Sequence, residues 1–494
     1  MATRLNKGSM THSRRAHAYP EGELPEGPGF DGFQPETEAN DEAVEAEPEQ
    51  SPRLTLLGYL DMDNVAEALS EDELGRLGAK VCEEYDIDDN SRSDWKDQNK
   101  DALKLAKQVE EKKSYPWAGA SNVKYPLITK AAIEFNSRAY PAMVTNDLVK
   151  CKVNGYDPDN SKAQRAERVS KTMSWQCLEE MPNWDEETDK LTMVLPIVGM
   201  AFKKTYFSRS EGTNASDLVM PNDLVFNYSA SSFSKVPRKT HKVRLYPYEI
   251  KERVNGGLFL DNPYGMTDEA DNDPDAQHMF LEQHRLEDLD GDGFPEPYIV
   301  TVHKETQKVC RIVTRFYPED IEHEGGEIVK IKPIEHFTKF GFIPNPDGSA
   351  HDIGFGTVCG PINRSINTVL NQLLDAGHLA NTQGGFIGKG LRMKGGSFRL
   401  RPGEYRPVDT AGVKIRENLV PMQFPGPSPV LFQLLGALIE AGEDVAQIRD
   451  VLEGNAQGAN QPASTTLALI EQGLKVFSGI YKRMHRSFGH EFKA

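Results

Sequence analysis

Residues 357 to 381, TVCGPINRSINTVLNQLLDAGHLAN, set Ile362, Ile366, Val369, Leu370, Leu373 and Leu374 at intervals of three and four, which lines them along one stripe of an α-helix. A helix of that length has to bury its stripe, and the flanking sequence supplies two kinds of partner. Upstream, between Met200 and Val254, the runs AFKKTYF, DLVFNY and HKVRLY are short and β-like, separated by Asn, Ser, Gly and Pro. A second block, YIVTVHKETQKVCRIVTRFY followed by GEIVKIKPIEHFTKF, alternates apolar and polar residues as half-exposed hairpins do; together these strands predict one β lobe. Downstream, the stretch GGFIGKGLRMKGGSFRLRPGEYRP and the turn VPMQFPGPSP lead to a second helix, VLFQLLGALIEAGEDVAQIRDVL. A polar linker, EGNAQGANQPAS, then opens a last helix, TTLALIEQGLKVFSGIYKRMHRSF. Helices and strands in separate blocks give an α+β fold class.

Towards the N-terminus, Ser70 is placed to cap a helix carrying Leu74, Leu77, Val81 and Cys82 at helical spacing. SKAQRAERVSKTMSWQCLEEM predicts another helix, and a third starts near Trp184, where Asp185, Glu186 and Glu187 suit the positive helix N-terminus. Pro196 should kink or end that third helix. Between Glu21 and Glu49 there are 11 acidic residues and no basic ones, with almost nothing aliphatic to bury. Residues 1 to 52 are therefore expected to be a disordered acidic tail, either a solvated leader or an assembly partner.

The 494-residue chain carries a net charge of −18, the opposite of the basic excess with which a dedicated nucleic-acid binder displaces counterions from phosphate. Cys82, Cys151, Cys177, Cys310 and Cys359 are scattered without a C-x-x-C pair, so they read as packing thiols of a reducing compartment. No run of apolar residues reaches the length of a membrane span, and MATRLNKGSMTHSRR lacks the apolar core of a secretory signal. A soluble intracellular product is expected.

Four strings, in their order and spacing, resemble the portal proteins of tailed double-stranded DNA phages. They are SYPWAGASNVKYPLITKAAIEFNSRAYPAM at 114 to 143, DGDGFPEPYIVTVHKETQKV at 290 to 309, NQLLDAGHLANTQGGFIGKGLRMKGG at 371 to 396, and NQPASTTLALIEQG at 460 to 473. The resemblance spans roughly residues 55 to 490 and leaves the acidic tail outside. It implies a ring of about twelve copies, closed by head-to-tail contacts, at one capsid vertex of the virion. In that family the ring has a wing, a stem, a clip and a crown around a channel through which DNA is packaged and ejected. Applied here, it implies a wing over 53–290 with helices and then a β-rich part, a clip-like β lobe over 291–345, and a stem helix within 346–382. A basic Gly-rich wing segment with a tunnel loop would occupy 383–429, and a channel helix and the start of a short crown 430–494. The implied partners are further copies of the chain, the terminase large subunit, a head-completion or tail adaptor, the major capsid and scaffold proteins, and double-stranded DNA that slides through non-specifically. No membrane and no required cofactor is implied.

Asp288, Asp290, Asp292, Gly293 and Glu296 follow the D-x-D-x-D-G-x-x-E spacing of calcium loops, in which oxygens at alternate positions wrap one hard cation. Position twelve is Ile299 instead of the bidentate Glu of a full EF-hand, so only a shorter loop type applies. Two readings stay open: a structural Ca2+ or Mg2+ ion, or an acidic entry to a hairpin, since Asp and Gly are ordinary turn residues. Lys389, Arg392, Lys394, Arg399, Arg401 and Arg406, with Lys414 and Arg416 beyond them, stand out against the acidic background. They would touch either phosphate in a channel or an acidic face of the next subunit, and the subunit contact is favoured because tight phosphate binding would brake a moving genome.

GGFIGKG is not a Walker loop, because Gly390 follows Lys389 where Ser or Thr is needed. Neither a G-x-S-x-G elbow nor an H-E-x-x-H helix occurs, and no catalytic residue is assigned. His303, His336 and His378 read as packed or solvated side chains. Tyr115, Pro116, Trp117, Tyr125, Pro126, Phe135 and Tyr140 read as a core or intersubunit plug, since a base-stacking platform would be paired with a basic groove. Two other functions share parts of this pattern. A different head-to-tail connector or minor capsid subunit would lack the long stem helix, and a metal-dependent hydrolase at 288–296 would need a second set of carboxylates or a base.

Overall fold

The computed structural model describes residues 56–110, 112–181, 183–209, 212–262, 275–324, 327–382, 384–387, 392–393, 408–409, 419–422, 424–446 and 478–494, all within one unit that starts at Arg53. The acidic tail lies outside the described residues. The first helices are α1 (Leu56–Leu60), α2 (Glu71–Ser91), α3 (Ser93–Ala106), α4 (Leu127–Met143), α5 (Ser161–Trp175) and α6 (Trp184–Val198). Helix α2 begins as the sequence predicts: Ser70 N–H donates to Glu73 Oε2 at 3.1 Å while Glu73 N–H donates back to Ser70 Oγ. Helix α6 also starts where its acidic turn predicts, and it ends two residues after Pro196, at Gly199. There φ is +94°, and a Cβ would lie 2.3 Å from the Ile353 carbonyl carbon, so only glycine fits both the turn and the approach.

The strands are β1 (Met200–Ser208), β2 (Thr213–Val219), β3 (Leu224–Val225), β4 (Lys239–Leu245), β5 (His278–Glu287), β6 (Glu296–His303), β7 (Val309–Thr314), β8 (Ile321–Glu324), β9 (Glu327–Ile331) and β10 (Phe337–Gly341), with α7 (Pro247–Asn255) after β4. Every described pairing is antiparallel, which with the segregated helices makes the chain α+β. The strands do not form the single β lobe that their sequence suggests. A five-stranded sheet runs β3-β4-β5-β6-β7, a separate three-stranded sheet runs β10-β1-β2, and among the described residues β8 pairs with β9 alone. The boundary expected between 290 and 291 falls inside the β5–β6 hairpin, and the strands of residues 291–345 belong to three sheets. The reason is burial. Ala201 and Phe340 face the helical core, whereas Phe202 and Phe337 on the same two strands face a second cluster, so β10 has to lie against β1 although more than a hundred residues separate them.

The five-stranded sheet packs Leu281, Val300 and Ile312 against Val81, Cys82 and Tyr85 of α2. Its edge strand β7 is covered by buried Asn64, whose amide donates to Cys310 O at 3.2 Å while its oxygen accepts from Ile312 N at 3.0 Å. The stem-like helix of the sequence is α8 (Phe355–Asn381), two residues longer at its start than the apolar stripe requires and continuous through Pro361. After α8 come β11 (Gly384–Ile387), β12 (Arg392–Met393), β13 (Val408–Asp409), β14 (Leu419–Met422), α9 (Pro429–Ala446) and α10 at 478–491. The core of the helical part brings α4, α6, α8, α9 and α10 together around Phe135, Leu191, Leu195 and Ile366.

Cys82, Cys177, Cys310 and Cys359 are buried free thiols, and Cys151 is exposed and free. His303 is buried and His378 exposed, and His336 is held below its ordinary pKa by burial. A histidine that the sequence did not single out is also fully enclosed: His351 stacks 4.3 Å from Phe226 and meets Trp95 edge-on, and burial pushes it down to about 3. Among the described residues no helix is long and apolar enough to cross a membrane.

Candidate functional site

The long helix α8 carries Asn363, Asn367, Asn371 and Asp375 at four-residue intervals, so the four polar groups share one flank beside the apolar stripe. That flank holds residues 121 to 125, a segment that joins no sheet among the described residues. Ser121 N–H donates to Asp375 Oδ1 at 2.7 Å, Val123 N–H to Asn371 Oδ1 at 2.8 Å, and Tyr125 N–H to Asn367 Oδ1 at 2.7 Å. In return Asn371 Nδ2 donates to Val123 O at 2.9 Å and Asn363 Nδ2 to Tyr125 O at 3.0 Å. The side chains thus do for this segment what a neighbouring strand does in a sheet. Replacing Asn371 by leucine leaves the Val123 N–H and C=O unpaired, so a loss of about 1–3 kcal/mol is expected, with faster amide exchange confined to 121–125 in hydrogen-exchange mass spectrometry.

The ladder fixes the chain that carries Tyr115 and Trp117 across α3 and α8, enclosing a groove of about 750 Å³. Lys104, Lys113, Lys124 and Arg364 line it, together with Asp101 and Asp375. Of the aromatic string, Phe135 is in the core and Tyr140 donates to Asp185 Oδ1 at 2.8 Å, whereas Tyr115 is 81% exposed. Part of the string is therefore core, as expected, and part is surface.

Helix α9 lies against α8 and α4 through Leu435, Gly442 and Ala446. A Cβ on Gly442 would come within 2.8 Å of Leu127 Cδ2, so glycine permits the close approach. Its other side holds Val430, Leu434, Ala437, Ala441 and Val445, again at helical spacing, and all five are exposed. Phe432 beside them is 70% exposed. A helix apolar on two sides is ordinarily buried on both.

The acidic loop connects β5 to β6. Asp288 Oδ1 accepts from Gly291 N at 2.6 Å, and Asp292 Oδ1 accepts from Phe294 N at 2.7 Å, which curls the loop over itself. The structure brings Asp288, Asp290, Asp292 and Glu296 together, with one oxygen of each lying within 4.8 Å of the others. Three of the four sit at or near the surface, but Glu296, the first residue of β6, is fully buried, and among the described residues neither of its carboxylate oxygens meets a donor in hydrogen-bond geometry. Burial, reinforced by the like charges of Asp290 and Asp292, pushes its carboxyl up to about 8, and burial beside it raises Tyr298 well above the usual phenol range. A strand follows the loop, as the sequence predicts.

Of the basic run, Arg392 is placed as backbone in β12, and Lys389, Lys394, Arg399, Arg401, Arg406, Lys414 and Arg416 lie outside the described residues, as do residues 410–418 and 423 of the tunnel loop that the resemblance implies between Asp409 and Pro429. Sequence reasoning missed three constellations. The Asn ladder had a signal in its four-residue spacing, read past in favour of the apolar stripe. His278 and His303, hydrogen-bonded ring to ring at 3.2 Å, and the buried Lys203–Glu491 pair join residues too far apart in the chain for any local pattern to reveal. No family model matches the chain, and no curated protein matches it significantly.

Proposed function

We propose that the chain is the subunit of a portal-type ring, a non-enzymatic conduit at one capsid vertex through which double-stranded DNA is packaged and later released. The observation that carries this reading is the exposed apolar side of α9, which gives the chain a helical surface suited to a further copy of itself. The four sequence strings that resemble phage portal proteins support it, as does the long helix α8 with α9 packed along it. A ring of about twelve copies is the proposed assembly, and from −18 per chain its total charge would be on the order of −200. Such a surface repels phosphate weakly throughout, so DNA slides without being held. In this reading ATP hydrolysis belongs to a terminase motor docked on the ring, a tail adaptor later takes the same place, and capsid and scaffold proteins surround it in the virion.

Native mass spectrometry with negative-stain imaging of the same sample tests the reading. A closed particle of about twelve chain masses with an open centre is the expected result. A species fixed at dimer or trimer at every concentration, with or without scaffold, would overturn it.

A further inference from the structure

We infer that the loop from Asp288 to Glu296 binds one Ca2+ ion, held by the carboxylates of Asp288, Asp290, Asp292 and Glu296, and that the ion anchors the β8–β9 hairpin through Phe294. The inference concerns a single chain and does not rest on the ring.

The separations suit such an ion. Oxygens on opposite sides of a calcium at about 2.4 Å are about 4.8 Å apart. One oxygen from each of the four acids here falls within 4.8 Å of the others. Four clustered carboxylates alone would mean little. The second observation is Glu296, which is 0% exposed, aims into the cluster, and finds no donor in hydrogen-bond geometry for either oxygen among the described residues, although the Tyr298 hydroxyl is near enough to feel its charge. A buried carboxylate without a donor is costly, and a cation among four acids removes both the missing partner and the repulsion. All four donors are hard oxygens, which excludes soft-metal chemistry. Mg2+ prefers to keep its waters and takes one or two carboxylates, whereas four acids on a nine-residue loop match the larger and less regular shell of Ca2+.

What the ion holds follows from the packing. Phe294, between the acids, packs on the cluster of Leu56, Phe316 and Ile331, to which Ile321 and Ile328 also belong. Those isoleucines are the inner side chains of the β8–β9 hairpin, whose outer residues Glu322, His323 and Glu324 are exposed. Fixing the loop therefore fixes Phe294, and Phe294 seats the hairpin.

The test uses the full chain, stripped with chelator and titrated with CaCl2 by calorimetry, with thermal unfolding and limited trypsin digestion at Lys330 in parallel. Expected are one Ca2+ per chain with Kd on the order of 10⁻⁵ to 10⁻³ M, a rise in Tm, and slower cleavage of the hairpin. Asp290→Asn and Glu296→Gln should each weaken binding by about tenfold or more and abolish the Tm shift. Asp290 is only half-buried, so Asp290→Asn keeps the test valid if the Glu296 variant folds poorly. No binding heat and no Tm shift at millimolar Ca2+, or binding that both variants leave unchanged, would overturn the site. Mg2+ binding of equal or higher affinity would overturn the choice of ion, and binding without slower cleavage would overturn the link to the hairpin.

Discussion

Replacing Glu491 by alanine is expected to cost about 3–5 kcal/mol of stability, among the largest effects available to a single substitution in this chain. Glu491 ends α10, and its Oε1 accepts from Trp184 Nε1 at 2.9 Å, from Ser216 Oγ at 2.7 Å and from Lys203 Nζ at 3.2 Å. Lys203, on β1, is fully buried; its ammonium also donates to Thr188 Oγ1 at 2.8 Å and lies 4.3 Å from the Trp184 ring centre. Burial pulls the ammonium below its ordinary pKa, and Glu491 is the charge that opposes this. Removing the carboxylate leaves a buried cation without its counter-ion and three donors without their acceptor. It also frees the last turn of α10, whose Ile480, Met484 and Phe488 are buried in the helical core. Urea unfolding followed by tryptophan fluorescence should show the midpoint fall. The double variant Lys203→Met with Glu491→Leu, which removes both charges and keeps the volume, should recover most of the loss. A loss below about 1 kcal/mol for Glu491→Ala would mean that the pair is solvated and that α10 docks by its apolar residues alone.

What the sequence disclosed and what it withheld divide along the range of the interaction. Ser70 and Glu73 are three residues apart, and their capping box defines the start of α2 from local chemistry alone. Helix α6 was equally legible, because the acidic turn after Trp184 and the Pro196–Gly199 ending are both local. The acidic loop is the portion of the candidate site whose acids lie within nine residues of one another, and the fold brings their oxygens together. Strand existence was legible and strand partnership was not. Nothing near Phe337 states that its strand should pair with residues 200–208, because the decision is made by which face each phenylalanine buries once helices α4 and α6 are in place. The Asn ladder stands between these cases. Its period was visible, yet asparagine on a helix ordinarily reads as solvated, and the partner segment at 121–125 lies about 240 residues away.

The double variant Ala437→Glu with Ala441→Glu is expected to abolish ring assembly and leave the subunit folded. Both alanines are exposed on the outer side of α9, between Leu434 and Val445, while the inner side is held by Leu435, Gly442 and Ala446. Glutamate is a good helix former, so the exchange costs the isolated helix little, and circular dichroism and Tm of the subunit should stay close to those of the parent. The interface is another matter. Small residues flanked by Val430, Leu434 and Val445 suit close packing against a neighbouring subunit, and two carboxylates placed there would be desolvated without partners. A cost of about 3 kcal/mol per interface corresponds to a more than hundredfold weaker contact. Because a closed ring repeats the same contact at every step, the loss recurs around the circle and rings should vanish at concentrations where the parent forms them. Ala441→Ser, which adds one small hydroxyl, should assemble nearly normally and shows whether any change at this position suffices. Native mass spectrometry of the three proteins side by side reads all of this. If the parent forms rings and the double glutamate variant forms them equally well, α9 is not the contact and the ring is closed elsewhere; if the parent stays a fixed dimer or trimer with and without scaffold, the portal reading itself falls.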